Sequence, residues 1–558
     1  ALFNCTWALL SPTEQAAFDR LTIFPAPFTA VAAQTVTGVT ASDLQKLAEK
    51  GLLRPGESNQ YQIHNLLRHY GQEKLGTFGA VAQLQASPAN YYGRLLHDLQ
   101  PDLDGARQNE ALQTIRQILP HARRAWQWGI DQAKVPLLAQ LVPALCRYFA
   151  INGLYQEAAD WLERTIARLD ASPADETPEG NRLMIQCLTE RGAFLCGLAE
   201  YETAVHTLTT ALEKAQNQDV PLETAACYRE LGNLALIRGQ LDQAEQQLNQ
   251  SLQLYQEAEN QRGLADVWHR LGQLHVQLSQ PEKAQNAFSQ SLNLYRQLEF
   301  PQVIAQALSG LALVVHYWTG AYAEAEPLYL EALTLKRELG HKHGMANTLN
   351  NLGNLACNLE AFERAITYYE ESLVIKREIG LPLGIAITLA NLGTAYHELA
   401  QYERAGELYA ESLGISQKLG DQLGVLFSLG NLAELAHVQG EYARSERRWR
   451  RVMQLSLAAQ STDRLLYCLT GLACLWADTA VPPTNQTLAA TMFYYVQTYP
   501  GSNQSVRDKI GPPLARLAER LPPDVLASAQ ADAAAWFEAD LKQRVEPLLT
   551  QTWLYPKT

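Results

Sequence analysis

The sequence predicts an all-α protein whose greater part is a stack of helical hairpins, and two periodic observations carry that expectation. A small residue recurs at a nearly constant step, at Gly192, Gly232, Gly272, Ala312, Gly353, Gly393, Ala433 and Ala473, with intervals of 40 residues and one of 41. Twelve residues further on a second small residue follows, at Ala204, Ala244, Ala284, Ala365 and Ala405, and at Ala325 where the longer interval adds one. Four positions beyond that stands a bulky residue: Leu208, Leu248, Phe288, Tyr329, Tyr369, Tyr409 and Trp449. A unit of that length cannot bury its own apolar face and must stack on copies of itself. Small residues let two antiparallel helices approach, and the bulky one is expected to fill the gap toward the next unit.

This Gly, Ala, aromatic spacing resembles the tetratricopeptide repeat, lengthened to about 40 residues. The resemblance implies a right-handed tetratricopeptide-type α-solenoid superhelix of about eight to nine helical hairpins over residues 139–480, closed by a C-terminal helical cap over 481–558. The first unit, at 139–170, is less regular, with Ala158 and Leu162 in second-helix positions and Cys146 where glycine is expected. Asp170 to Gly180 reads as an inserted loop. Leu339-Gly340-His341-Lys342-His343-Gly344 and Leu419-Gly420-Asp421-Gln422-Leu423-Gly424 recur between units, where glycine can close a helix in the left-handed conformation.

Composition narrows the class. The chain has 558 residues, a formal charge of −13 and 47% hydrophobic residues, enough for several packed layers. No apolar run approaches the roughly 20 residues that span a bilayer, and the opening residues lack the pattern of a signal peptide. The eight cysteines show no paired spacing, which favours free thiols in a reducing, cytoplasmic setting and argues against zinc or disulfides. The acidic balance argues against nucleic acid as a partner.

Residues 1–76 differ from the repeats. Ser11 and Pro12 open a helix carrying Ala16, Phe18 and Leu21, a second helix runs near Thr29 to Val36, and a third, with Ser42 as N-cap, runs to Gly51. Leu52 to Arg54 and Tyr61 to His64 then flank the turn-rich Pro55-Gly56-Glu57-Ser58-Asn59. Three helices and a hairpin make a winged helix. Six Lys or Arg against six Asp or Glu leave it uncharged overall, so it is not expected to read DNA.

The run Leu9 to Gln15, then Leu21-Thr22-Ile23-Phe24-Pro25 with Phe28, Leu47 to Leu53, and Tyr61-Gln62-Ile63-His64-Asn65-Leu66-Leu67-Arg68-His69-Tyr70 with Glu73-Lys74-Leu75 resembles the winged-helix element of STAND-type, NB-ARC-like signal-transduction ATPases. Tyr91 to Trp128 looks like the helical connector (77–138) of bacterial members, and Leu521 to Leu549 is similar to the end of their sensors. The resemblance implies that His64, within Ile63-His64-Asn65 where the family has Met-His-Asp, contacts the β-phosphate of bound ADP in an intact parent. Imidazole is a compact donor that titrates near neutrality, which suits the role. Asn65 departs from the family's Asp and lacks its charge.

No Gly-x-x-x-x-Gly-Lys-Ser/Thr occurs in the chain, so the cradle for nucleotide phosphates is missing. The family places that domain before the winged helix, and a chain opening at Ala1 on that element is expected to be the C-terminal part of a larger ATPase. No enzyme activity is expected of it, and ADP or ATP belongs to the intact parent; the chain itself carries no cofactor. The histidines show no metal-ligand spacing, and no Gly-x-Ser-x-Gly elbow occurs.

In the tetratricopeptide family one face of each first helix lines a concave groove. Counting the periodic small residue as position 8, that face holds positions 2, 5, 9 and 12. Around Gly353 these are Asn347, Asn350, Asn354 and Cys357, with Asn351 beside them at position 6. Neighbouring units contribute Asn391, His397, Asn431 and His437, and the units upstream Arg229, Asn233, His269, Arg270 and Gln273. Asparagine is a poor residue inside a helix, so its clustering points to amides that offer donors and acceptors to a peptide backbone. The alternative is that these amides bond across adjacent helices. A basic run, Arg444, Arg447, Arg448, Arg450 and Arg451, lies on a second helix, where such charges are solvated or paired unless an acidic partner takes them.

The sequence thus points to the ligand-sensing and autoinhibitory arm of a STAND-type switch, binding a protein or peptide trigger in the groove and coupling to an upstream NTPase domain of the same polypeptide. The alternatives are a small-molecule sensor of a transcriptional regulator and a passive protein–protein scaffold. The isolated chain is expected to be a monomer without membrane contact, and that reading is compatible with oligomerisation of the parent on activation.

Overall fold

A computed structural model describes Trp7 and residues 10–56, 60–75, 81–105, 107–171, 177–459, 461–478, 483–499, 504–537 and 541–550. Positions 57–59 of the turn and 172–176 of the inserted loop lie outside the described residues, as do the expected boundaries at 76/77 and 480/481. The chain divides into two compact units, 1–339 and 340–558.

The first unit opens with α1 (Pro12–Leu21), β1 (Phe28–Thr29), α2 (Ala30–Thr37), α3 (Ala41–Glu49), β2 (Leu53–Pro55), β3 (Gln60–Ile63) and α4 (Asn65–Leu75). Ser11 and Glu14 form a reciprocal cap at the start of α1, satisfying amides that a helix N-terminus otherwise leaves bare. The cap of α3 is Thr40, not Ser42: Thr40 accepts from the Asp43 amide while the Asp43 carboxylate accepts from the Thr40 amide. Ser42 falls inside the first turn because the threonine two residues earlier completes the box with Asp43 and serine has no acidic partner three residues on. The sheet has three antiparallel strands in the order β1-β3-β2, with Phe28 opposite Tyr61 and Leu53 opposite Ile63. The sequence pattern missed β1, which is only two residues long and is defined by its pairing. Phe18, Leu21, Phe24, Phe28, Leu44, Leu47 and Ile63 fill the core of this module.

A connector follows: α5 (Val81–Leu99), a 3-10 turn at Pro101–Leu103, and α6 (Gln108–Asp131). The repeats of the first unit are hairpins of α7 (Val135–Ile151) with α8 (Tyr155–Asp170), α9 (Pro178–Gly197) with α10 (Tyr201–Asn217), α11 (Pro221–Ile237) with α12 (Leu241–Glu257), and α13 (Gln261–Gln277) with α14 (Pro281–Leu298). The last is α15 (Pro301–Val314), prolonged by a π-turn at Val315–Thr319, with α16 (Tyr322–Glu338). The second unit pairs α17 (Lys342–Asn358) with α18 (Phe362–Glu378), α19 (Pro382–Glu398) with α20 (Tyr402–Leu419), α21 (Gln422–Val438) with α22 (Tyr442–Ala458), and α23 (Thr462–Asp478) with α24 (Pro483–Thr498). It ends in α25 (Gln504–Arg520), α26 (Pro523–Phe537) and α27 (Leu541–Thr550). This is an all-α helical-repeat solenoid carrying one small sheet.

Five hairpins, those with Gly192, Gly232, Gly272, Gly353 or Gly393 on the first helix, share one steric device. The bulky residue of the second helix lies over the small residue of the first helix of its own hairpin. A Cβ on Gly192 would stand 2.4 Å from Leu208 Cγ, one on Gly272 2.7 Å from Phe288 Cε1, and one on Gly353 2.4 Å from Tyr369 Cε1. The expected contact toward the next unit exists as well, where Phe288 meets Gly310 and Trp449 meets Gly471. The second small residues, Ala204 through Ala405, are fully buried between the helices. A buried serine adds a polar pin to some hairpins: the Oγ of Ser251, Ser291, Ser372 and Ser412 donates to the carbonyls of Ala225, Ala265, Ala346 and Ala386 at 2.7–2.9 Å.

The turns repeat too. Gly340, Gly380 and Gly420 take left-handed φ between 66° and 70° as expected, but Gly344 and Gly424 lie inside helices. A Cβ on Gly424 would meet Ser416 Oγ and Asp421 Oδ2, so closeness of approach, not backbone conformation, selects glycine there.

The meshing predicts opposite signs for two glycine substitutions. Gly353→Ala forces a methyl into Tyr369 and should cost about 1–3 kcal/mol. Gly414→Ala, where a Cβ meets nothing within 4 Å, should gain about 0.5–1 kcal/mol. Chemical denaturation of both variants against wild type reads the difference.

Candidate peptide-binding groove

The first helices of successive hairpins line the candidate wall. In the first unit, the Arg229 guanidinium on α11 donates to Glu230 Oε1 at 2.9 Å and to Asp266 Oδ2 of α13 at 3.2 Å. The Tyr295 hydroxyl donates to the other Asp266 oxygen. Burial and the neighbouring Glu230 carboxylate push Glu190 up. Two turns on from Asp266, Gln273 receives a bond from Arg270 at 3.2 Å and stands 3.3 Å from His269 Nε2. Burial first, then the charge of Arg270, lowers His269 to about 4, so it is neutral at pH 7 and its ring packs edge-on against Phe288 at 5.5 Å. Asn233 is half-buried on α11. Four of these five predicted residues, Arg229, His269, Arg270 and Gln273, therefore join a wall of interlocked charges and amides.

In the second unit the asparagines separate into two classes. Asn350 is 8% exposed; its Oδ1 accepts from Thr388 Oγ1 at 3.0 Å and lies 3.5 Å from Asn391 Nδ2. Asn354 Oδ1 accepts from Asn391 Nδ2 at 3.1 Å and from the Tyr369 hydroxyl at 2.8 Å. These three amides bond across adjacent helices and form a floor. Beneath it the Lys376 ammonium donates to Thr388 Oγ1 at 2.8 Å, and burial lowers this lysine to about 8. Asn347 is exposed, 3.5 Å from His343 Nδ1, while Asn351 and Asn431 are half-buried. His397 packs edge-on against Tyr402. His437 stands 3.7 Å from Asp478 and is lowered chiefly by burial.

The sequence reading missed the apolar part of this wall. Ile387 and Phe427 occupy position 2 of α19 and α21, the position of Asn347 on α17, and remain 48% and 50% exposed. Leu383 and Leu423 lie one turn before them, 49% and 43% exposed, on the same helix face. The available signal was a large apolar residue at a groove-facing repeat position, where the sequence reading named amides, histidines and arginines.

His64 sits between β3 and α4, exposed, and its Nδ1 accepts the Leu66 amide at 3.3 Å, which leaves the proton of the neutral ring on Nε2. Asn65 Oδ1 receives Arg68 at 3.3 Å, and Arg68 also donates to the Pro25 and Ile63 carbonyls. The basic run on α22 is paired at home: Arg444 with Glu441, Arg450 with Glu446, Arg448 with the Leu432 carbonyl and Arg451 with Gln454. Among the described residues no group of three His, Cys, Asp or Glu is placed to hold a metal ion, and no helix is long and apolar enough to cross a membrane.

The tetratricopeptide repeat family matches residues 183–257, 223–297, 303–378 and 384–457, and these segments are tetratricopeptide repeats. No curated protein matches the chain. Among solved structures, a signal transduction ATPase with numerous domains (STAND) that has a tetratricopeptide repeat sensor, from Pyrococcus horikoshii, is similar over 95% of this chain and 67% of its own, at 13% identity and a TM-score of 0.44. A Rap protein complexed with competence and sporulation factor is similar over 72% of this chain and 99% of its own, at 14% identity and 0.43. BtubC from P. vanneervenii is similar over 39% and 92%, at 20% identity and 0.36.

The buried lysine gives a pH-dependent prediction. Its folded pKa lies below the unfolded value of 10.5, so the unfolded chain binds more protons between pH 8 and 10.5 and stability rises with pH across that window. Lys376→Met should raise stability at pH 7 by up to about 3 kcal/mol, with the advantage shrinking toward pH 10.5. Thermal unfolding of variant and wild type at a series of pH values measures it.

Proposed function

We propose that the chain is the ligand-sensing and autoinhibitory arm of a STAND-type NTPase switch, cytoplasmic and monomeric when isolated, which binds a protein or peptide trigger on the inner wall of its tetratricopeptide repeats. The observation that carries the reading is the exposed row of Asn347, Ile387 and Phe427, flanked by Leu383 and Leu423, above a floor of mutually bonded amides. Exposed apolar side chains in register along successive helices mark an interaction surface. A fixed polar floor between them suits an extended segment whose alternate side chains point inward.

The N-terminal module supports the coupling half of the proposal. Three helices with a β2–β3 hairpin have the make-up of a winged helix, and His64 stands where its last strand meets the following helix. With Nδ1 held by the Leu66 amide, the Nε2–H is turned into a donor. It fits one contact to a phosphate oxygen of ADP in an intact parent, and the N-terminus of α4 adds favourable partial charge. No further nucleotide-holding group is assigned to this chain. A trigger would act by population shift, binding one arrangement of the arm more tightly than the other.

Selection of linear peptides from a random library on the purified chain tests the reading. Selected peptides should lose at least tenfold in affinity on Phe427→Ala and on Ile387→Ala, both at exposed positions, with circular dichroism of the variants expected to match wild type. Undiminished binding to both variants removes the groove from the account.

A further inference from the structure

The tip of the connector hairpin, between α5 and α6, reaches into the wall of the first unit. Asp104, at the end of the 3-10 turn, is 6% exposed, and two arginines from distant hairpins converge on it. Arg147 Nε of α7 donates to Oδ1 at 2.6 Å, and Arg262 Nη2 of α13 stands 2.7 Å from Oδ2. Gln302 of α15 joins the same knot, its Oε1 accepting from Arg147 Nη2 at 3.1 Å and from Gln108 Nε2 at 2.9 Å. Asn109 donates to the Glu338 carbonyl at the end of α16, at 3.2 Å. A turn of the connector thus touches helices drawn from the first to the last hairpin of the unit.

Charge bookkeeping makes the contact more than a tether. Arg229 already has Glu230 and Asp266 as partners, and Arg270 is bonded to Gln273. Among the described residues Asp104 is the carboxylate within ion-pair distance of Arg147 and of Arg262. Withdrawing it would leave two guanidinium groups converging on one point with no carboxylate at ion-pair distance and only the more remote Glu190 acting on both, a costly arrangement in a partly desolvated wall. Wherever the connector goes, that point calls for a carboxylate. Two forked donors from opposite sides also select a carboxylate over a neutral group.

We propose that Arg147 and Arg262 form a carboxylate-reading site for an acidic peptide, held in this structure by Asp104 of the chain's own connector, so that ligand binding and release of the connector tip are one exchange. The inference rests on the reading of the repeats as a peptide-binding surface but concerns a separate wall from the one carrying Phe427.

The probe is the connector's own segment, a fluorescent peptide of residues 100–108, titrated into the full chain. Asp104→Asn vacates the site and should bind the peptide at least tenfold more tightly than wild type, whose site is filled. A peptide carrying Asn in place of the aspartate should bind Asp104→Asn at least tenfold more weakly, and adding Arg262→Met to that variant should abolish binding. Absence of binding to Asp104→Asn, equal binding to wild type, or indifference to the peptide's carboxylate overturns the proposal. Should Asp104→Asn fold poorly, Arg262→Met alone, at a half-exposed side chain, should speed amide exchange over 100–105 at least tenfold; unchanged exchange is equally fatal. Because the probe comes from this chain, failure here leaves the peptide-selection result at Phe427 standing, and the converse also holds.

Discussion

The spacing between the two helices of each hairpin governs the rest of the molecule. A ring or isobutyl group of the second helix rests where a Cβ of the first would have been, as Tyr369 does over Gly353 and Tyr409 over Gly393. Close packing at that depth tolerates little change in volume, so the hairpin behaves as a rigid brick. Its inner helices bury one side against their partners and offer the other as a wall. The serine pins act on the same interface: Ser372 and Ser412 are almost fully buried, and each gives its proton to a carbonyl of the facing helix, which keeps a polar atom from being stranded in the core.

A constraint met again in hairpin after hairpin leaves a periodic trace, and for that reason the solenoid was legible in the sequence. The periodic glycines from Gly192 to Gly393 each meet the bulky residue that the spacing assigned to them. Features met by different residues in different units were not legible. The left-handed turn residue of successive hairpins is Ala199, Gly239, Ser279, Gly320, Glu360, Ala400 and Gly440; a glycine search finds fewer than half of them, because the surrounding hydrogen bonds force the conformation at whatever side chain stands there. β1 was invisible for a related reason: Phe28 and Thr29 are a strand only because Tyr61 and Gln60 lie beside them. The Asp104 knot joins residues whose separation in sequence carries no information at all.

The asparagines show why composition located the wall but not its working surface. The propensity cost of Asn350, Asn354 and Asn391 within helices is real, yet it is offset by bonds between α17 and α19, the outcome the sequence left open as the alternative. An amide already bonded to a neighbour has less to offer a visitor, since breaking that pairing costs as much as the new one returns. Under the proposed function, the free energy of recognition in the second unit would fall to the exposed apolar row, while the amide floor fixes the spacing of the helices that carry it. Lys376 sits within the same arrangement as a buried amine bonded to the neutral hydroxyl of Thr388, a tolerated weakness that a methionine would relieve.

Within the first unit, the connector helices α5 and α6 both join the repeats to the N-terminal module, α5 packing on α2 and on α7. α6 has 24 residues, about 36 Å of length, and begins beside the Asp104 knot. Its C-terminal half is bolted to α8: Arg123 makes a two-pronged ion pair with Glu157 at 2.6 and 2.7 Å, and the Trp126 indole donates to Thr165 Oγ1 at 2.9 Å. Its middle holds the N-terminal module. His121 Nε2 meets the Pro27 carbonyl at 2.9 Å, its ring stacks on Tyr92 and meets Phe24 edge-on, and burial keeps it neutral by lowering it to about 4. Gln117, four residues earlier, accepts from Gln60 of β3 at 3.3 Å. Between these two contacts lies Pro120, which cannot donate to the helix ladder and so marks the least costly point for bending. A force applied at the connector tip would therefore be taken up on the N-terminal side of Pro120, where Gln117 touches the strand that leads into His64, while His121 and the indole of Trp126 hold their places. Under the proposed function, that division would supply the two arrangements, differing by one hinge, that a ligand-driven switch requires.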